Sequence, residues 1–529
     1  MSGVTGTQSL TVTAPEPTEC TAPTTVTLSA GASQTFEASE CLTLPAGAAG
    51  DRYRVAVIRP ASSGSSSDVV TATVTVTALT AQAAVSAARP AASSPLAGVK
   101  IDGAPFVARM ERKARTRQAH FDMLEEIDLN VTRSCSGSTS PQVLVGFNDD
   151  LAIYQDSTER VTTAISAAAA QLMLDYYTAS SKSMIEQYFG TPSDIDGNGR
   201  IVVTTAPDLA DSVVALVWSG DLNSVSSCAA SNQMELVYFG VDGFTDMDSG
   251  TDPDFVALGT IAHEVKHIVS VFNTITAVRA SNPLWVEEGS AEIAYEMSSR
   301  IAWAAAGGPA VGIAITGDQI VNAVVANGGI QSKEMWGVVD VIANLIPQLS
   351  THPNSMVTAP VGANEFHSIY AAGWHFHRFL GDAYGGASTA LADGPFFKSL
   401  TDLNAAGGIT AITDATGKTF DQLFAEMITA MSLHEVGTAP ARAFTTYDLV
   451  TASDIFSGPA VLAPPGVYPW PVTTDSGGTA TVGFTTATYS GSMGIAGIRI
   501  HDFLSTGGSD IQIEVSVGAP GSIVVTRIN

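Results

Sequence analysis

The chain is poor in positive charge. Its 24 lysines and arginines stand against 51 aspartates and glutamates, which leaves a formal net charge of −27 over 529 residues. A surface of that sign repels nucleic acid and anionic lipid, so neither is expected as a partner, and it attracts cations. Long apolar runs are also missing. The Ala/Gly-rich stretch Ala302–Thr316 is broken by Gly307-Gly308-Pro309 and is too short to span a bilayer. The opening Met1-Ser2-Gly3 has neither the basic start nor the apolar core of a signal peptide. Only four cysteines occur, Cys20, Cys41, Cys135 and Cys228, and none forms a C-x-x-C. That excludes a cysteine-only zinc site and a thioredoxin-like motif. The favoured pairing is Cys20–Cys41 with Cys135–Cys228, within-domain loops in an oxidising compartment.

A chain this long accommodates about three domains. Residues 1–80 alternate apolar and polar in TFEASECLTL and VVTATVTVTAL, which predicts an N-terminal β domain. Residues 81–141 open as the Ala/Pro/Ser-rich linker AQAAVSAARPAASSPLAG and continue as a polar helix in VARMERKARTRQAHFDMLEEI. Residues 142–450 mix strands (VLVGF, LAIYQ, IVVTT, MELVYF) with helices that dominate from Asp254 to His434. Residues 451–529 return to alternation in IRIHDFL, DIQIEVSV and SIVVTRI, which predicts a second, C-terminal β domain. The fold class expected is α+β, with the mixed segment between two all-β modules.

Histidine is scarce, yet two of the nine lie four residues apart in GTIAHEVKHIV. On a helix that spacing puts His263 and His267 on one face, where two neutral imidazoles can hold one zinc ion, with Glu264 beside the attacking water. Asp252 is placed to cap this helix and Pro253 suits its first turn. The apolar residues around the motif predict near-complete burial, and buried imidazoles need partners. A catalytic zinc also needs a third protein ligand. In SNPLWVEEGSAEIAYEM, Glu288 and Glu292 share one helical face, whereas Glu287 points about 100° away. Glu288 is therefore read as the ligand and Glu292 as the acceptor for a ligand histidine's other N–H. Gly289 leaves room for a closely packed helix.

HEVKH followed by the glutamate of WVEEG resembles the gluzincin metallopeptidases, and within these the hyicolysin-like family of secreted bacterial zinc peptidases. DIDGNGRIVV, SSCAASNQMELVYF and SIYAAGWHFHRFL extend the resemblance over roughly Gln142–Leu433. The chain departs from that family at Glu287, where members usually carry Asn. The resemblance implies a thermolysin-like zinc metallopeptidase domain, protein or peptide substrates, secretion, and Glu264 as general base. Related gluzincins place a transition-state tyrosine in a Tyr-x-x-Gly helix, which points to Tyr370, with His377 two turns on as the alternative. His375 reads as structural. Two other functions compete with the endopeptidase: a catalytically silent binding or adhesion protein on the same fold, and an aminopeptidase.

DIDGNGR supplies Asp194, Asp196, Asn198 and the backbone oxygen of Arg200, with glycines for a sharp turn, an arrangement suited to calcium. Asp208 or Asp211 could complete the shell. The acidic run Asp246–Asp252 is explained in part by helix capping.

Overall fold

The computed structural model describes residues 24–59, 70–77, 124–209, 213–248, 254–277, 282–327, 332–341, 363–386, 391–434, 442–447 and 486–528, apart from short gaps. The N-terminal segment forms β1 (Thr24–Thr25), β2 (Ser33–Glu37), β3 (Cys41–Leu44), β4 (Arg52–Ile58) and β5 (Val70–Thr77). The middle of the chain forms β6 (Glu126–Leu129), β7 (Ser140–Phe147), β8 (Leu151–Asp156), β9 (Ile201–Thr205), β10 (Ala215–Val217) and β11 (Leu236–Phe239). The C-terminal segment adds β12 (Thr486–Met493), β13 (Ile498–Leu504), β14 (Ile511–Val517) and β15 (Ser522–Arg527).

The expectation of an α+β protein holds, but the two terminal segments are not separate domains. Their strands interleave in two sheets, ordered β1-β3-β14-β5-β12 and β13-β4-β15-β2. Strand β14 lies between β3 and β5, and β15 lies between β4 and β2. Leu42, Leu44, Ile511 and Ile513 from one sheet meet Phe36, Val55, Val57, Ile523 and Val525 from the other in a single core. Without the C-terminal strands, β3 and β5 would have open edges and the core would be half filled. One sandwich is therefore built from both ends of the chain.

The middle segment forms a six-stranded sheet ordered β10-β11-β9-β8-β7-β6. Strands β11, β9 and β8 run parallel, and the remaining neighbours are antiparallel. Its central strands are apolar on both faces because both are covered. Leu151, Ile153, Ile201 and Val203 face the main helical core, while Ala152, Tyr154 and Val202 face a smaller cluster that includes Cys228. Cys228 bridges to Cys135, as expected. Cys41 is disulfide-bonded, and its expected partner Cys20 lies outside the described residues. Most of the expected polar helix also lies outside them. Its last residues, Glu126 and Ile127, are instead strand, paired with Val143 and Gln142.

The expected long helix after Ser166 is present as α1 (Ala167–Tyr176) and α2 (Lys182–Tyr188), joined by a wide turn over Tyr177–Ser181. The Ser166 hydroxyl caps its start by accepting from the Ala169 N–H. Three longer helices follow: α3 (Val256–Ala277), α4 (Leu284–Ala305) and α5 (Ala363–Tyr384). Helix α3 packs closely on α4, since a Cβ at Gly259 would lie 2.4 Å from the Tyr295 ring. Trp374 of α5 donates to Glu296 of α4 at 2.8 Å. Helix α6 (Phe420–His434) packs against the sandwich, where Ala56, Ile58 and Val524 join the helical core.

Candidate metal centre

Helix α3 begins at Val256, whose N–H is capped by the Asp254 carboxylate at 2.8 Å. The expected caps Asp252 and Pro253 lie outside the described residues. Helical spacing brings the His263 and His267 rings to 4.8 Å between centroids, both buried. Both Nε2 atoms turn towards one carboxylate oxygen of α4, Glu288 Oε2, at 3.2 Å from His263 and 3.5 Å from His267. Ligand atoms of these three residues lie within 4.8 Å of one another, the spacing of a shared ion.

The opposite ring nitrogens are held from behind. His263 Nδ1 lies 3.3 Å from Glu292 Oε1, the role read from helical phase. His267 Nδ1 lies 2.8 Å from Glu287 Oε1. A carboxylate at each Nδ1 fixes the proton there and leaves the Nε2 lone pairs facing inward, which is how ligating histidines are oriented.

Sequence reasoning gave no role to Glu287, Lys266 or Asn282. The Lys266 ammonium is buried and reaches Glu287 Oε1 at 2.7 Å and the Glu287 backbone oxygen at 2.9 Å. Asn282 Nδ2 donates to Glu287 Oε2 at 2.6 Å. The signal available was Lys266 itself, the one lysine or arginine in a largely apolar helix.

Several buried atoms at the centre have no hydrogen-bond partner among the described residues: both Glu264 oxygens, His267 Nε2 and Glu288 Oε1. Desolvated polar groups are costly unless satisfied. A cation between the imidazoles and Glu288, with a water against Glu264, would satisfy all of them. The donor set of two imidazoles and one carboxylate fits zinc.

The electrostatics also call for positive charge. Burial disfavours imidazolium, yet hydrogen bonds to Glu288 and Glu292 raise His263 to about 10. His267 is raised too, against burial, by the charge of Glu288 and its bond to Glu287. A proton on each ring thus does part of a metal ion's work. Burial pushes Glu264 up to about 7, with both histidines opposing and Glu288 and Glu292 adding to the rise.

Tyr370 stacks on His263, with ring centroids 6.0 Å apart. Burial first, then the charges of Glu288, Glu264 and Glu292, hold its hydroxyl well above the usual tyrosine range. The expected alternative, His377, sits on the Lys266–Glu287 side, where both charges act on it. Its Nδ1 donates to the Gly373 oxygen at 2.7 Å and its ring packs on Trp285 and Phe376. Burial lowers it to about 4. His375 stacks flat on Phe444, a packing role as expected.

A second acidic group forms at the DIDGNGR turn, where carboxylates of Asp194, Asp196 and Glu235 converge within 4.8 Å. Positive φ at Gly197 and Gly199 makes the turn. Asn198 and Arg200 close it: the Arg200 N–H donates to Asn198 Oδ1 at 2.6 Å, and Asn198 Nδ2 donates to Asp196 Oδ2 at 2.7 Å. Glu235 is the member sequence reasoning missed, and burial pushes it up to about 7. Asp208 is not part of this group, because it pairs with Arg133 at 2.7 Å. Asp211 lies outside the described residues.

Among the described residues, no helix is long and apolar enough to cross a membrane. Compared with protein-family models and with curated proteins, the chain matches none.

Proposed function

We propose that the chain is a zinc-dependent endopeptidase of gluzincin type, acting outside the cell on protein or peptide substrates. One observation carries the reading. His263, His267 and Glu288 converge while both buried oxygens of the adjacent Glu264 have no hydrogen-bond partner among the described residues. His263, His267 and Glu288 would hold the metal, with Glu292 and Glu287 orienting the rings. When bound, zinc supplies a Lewis acid that lowers the pKa of water towards about 7 and polarises a carbonyl. Glu264 takes a proton from the attacking water and delivers it to the leaving nitrogen. Tyr370, on the His263 side of the centre, donates its hydroxyl to the oxyanion that forms as water adds. Asp194, Asp196 and Glu235 would hold a structural calcium ion.

The test is metal analysis of the purified protein coupled to casein cleavage, with and without a chelator, on wild type and Glu264→Gln. One zinc per chain is expected in both proteins, with chelator-sensitive cleavage in the wild type only and a loss of at least about a hundredfold in the variant. Zinc without cleavage in the wild type would support a silent binding protein instead. Attack confined to free N-termini would indicate an aminopeptidase.

A further inference from the structure

The face of His267 that points away from Glu288 is built differently from that of His263. Glu292 meets His263 as a carboxylate with no ion-pair partner but that histidine among the described residues. Glu287, the acceptor for His267, is in a buried ion pair with Lys266, the residue immediately before His267 in the chain. Its carboxylate is fully used: Oε1 takes both Lys266 and the His267 Nδ1–H, and Oε2 takes Asn282. Lysine, glutamate and histidine are all buried, so none of these charges is screened by water.

Desolvating an ion pair is expensive, and an apolar or amide pair would stabilise such a core as well. Here the pair serves the ring. Glu264, Glu288 and Glu292 already bring three carboxylates to this centre. A fourth without its own cation would add repulsion against all of them. We infer that Lys266 is a positioning residue of the metal centre, neutralising Glu287 so that a full carboxylate can hold and polarise the His267 ring. This rests on the zinc reading above. A carboxylate on the far N–H makes an imidazole a stronger donor than an amide does. Lysine 266 thereby acts on the metal through Glu287 and His267 without touching it.

The experiment uses the full chain as wild type, Lys266→Met, Glu287→Gln and the double variant. Zinc affinity is measured by competition with a chromogenic chelator, and the visible spectrum is recorded after cobalt substitution. Each single variant should bind zinc about 10- to 100-fold more weakly, the scale for losing a group that orients a ligand. Because Lys266 acts only through Glu287, the double variant should bind zinc within about fivefold of Glu287→Gln alone. Glu287→Gln should also shift the cobalt bands, because His267 becomes a weaker donor; a purely structural pair would leave them in place. Wild-type affinity in Lys266→Met, a double variant as weak as the two losses combined, or unchanged cobalt bands in Glu287→Gln would each overturn the assignment. Should Lys266→Met fail to fold, the double variant and Glu287→Gln still decide. A wild type that binds no zinc sinks the peptidase reading itself, which is a different failure.

Discussion

A Cβ on Gly289 would lie 2.3 Å from the carbonyl carbon of Gly373. The backbones of α4 and α5 therefore touch one residue after Glu288 and three after Tyr370. This contact sets how close the tyrosine comes to the metal centre. Gly289→Ala should force the helices apart, destabilising the fold by about 1–3 kcal/mol, the range for overpacking. In the folded fraction, turnover should fall more than zinc content does. Thermal melts, metal analysis and steady-state kinetics on one preparation would check this, and wild-type kinetics would mean Tyr370 tolerates the displacement.

Tyr370→Phe keeps the ring's packing on His263 and removes only the hydroxyl. A donor that meets the oxyanion only in the transition state affects kcat more than KM. A drop in kcat of roughly ten- to a thousandfold is expected, with zinc retained. His377→Ala, which removes a ring buried against Trp285, should show its effect mainly in stability. Unchanged turnover in Tyr370→Phe would leave the tyrosine a packing role.

The two carboxylates of α4 that share a face should separate by severity. Glu288→Ala removes a ligand and should abolish stoichiometric zinc. Glu292→Ala leaves the ligands but frees the His263 Nδ1 side, at a cost of about 10- to 100-fold in affinity. Equal losses measured by chelator competition would contradict the assignment of Glu288 as ligand.

Proton uptake gives a pH test. In the metal-free protein His263 is raised from 6.5 to about 10, so the stability it contributes is fully present below about pH 6.5 and is lost as pH rises to about 10. The zinc-loaded centre carries no such proton. The gap in melting temperature between loaded and metal-free protein should widen across that window. Adding zinc at pH 8 should release protons, read with an indicator dye in weak buffer. A gap independent of pH would show that His263 is already neutral.

At the DIDGNGR turn, Asp194, Asp196 and Glu235 repel one another unless an ion lies between them. Calcium should raise the melting temperature of the wild type, and do so much less in Asp196→Ala or Glu235→Gln, because a ligand stabilises the state that binds it. Equal responses in all three proteins would make the loop a turn and nothing more.

What could be read from the residues was what local periodicity encodes. Helical phase placed His263 and His267 together, chose Glu288 over Glu287, and put Glu292 on a ring nitrogen. The same phase argument turned Glu287 away from the centre but could not say what it meets there, because Lys266 reaches it from another helix and Asn282 from just before α4. Glu235 was missed for the same reason: it lies forty residues from the Ile195 N–H it accepts. Alternation in IRIHDFL and SIVVTRI identified strands but carries no information on pairing partners, so two modules were expected where β14 and β15 complete one.

The interleaved sandwich also dictates an order of events during synthesis. Strand β15 fills the gap between β4 and β2, so these earlier strands must wait, incompletely paired, until Ser522–Arg527 has been translated. Contacts that close loops of more than four hundred residues form late. Most partners of the middle segment's helices and central sheet are closer in the chain, and helix α6 is the exception, because it packs on β4 and β15. The sandwich is thus closed only after the residues of the candidate metal centre have been made.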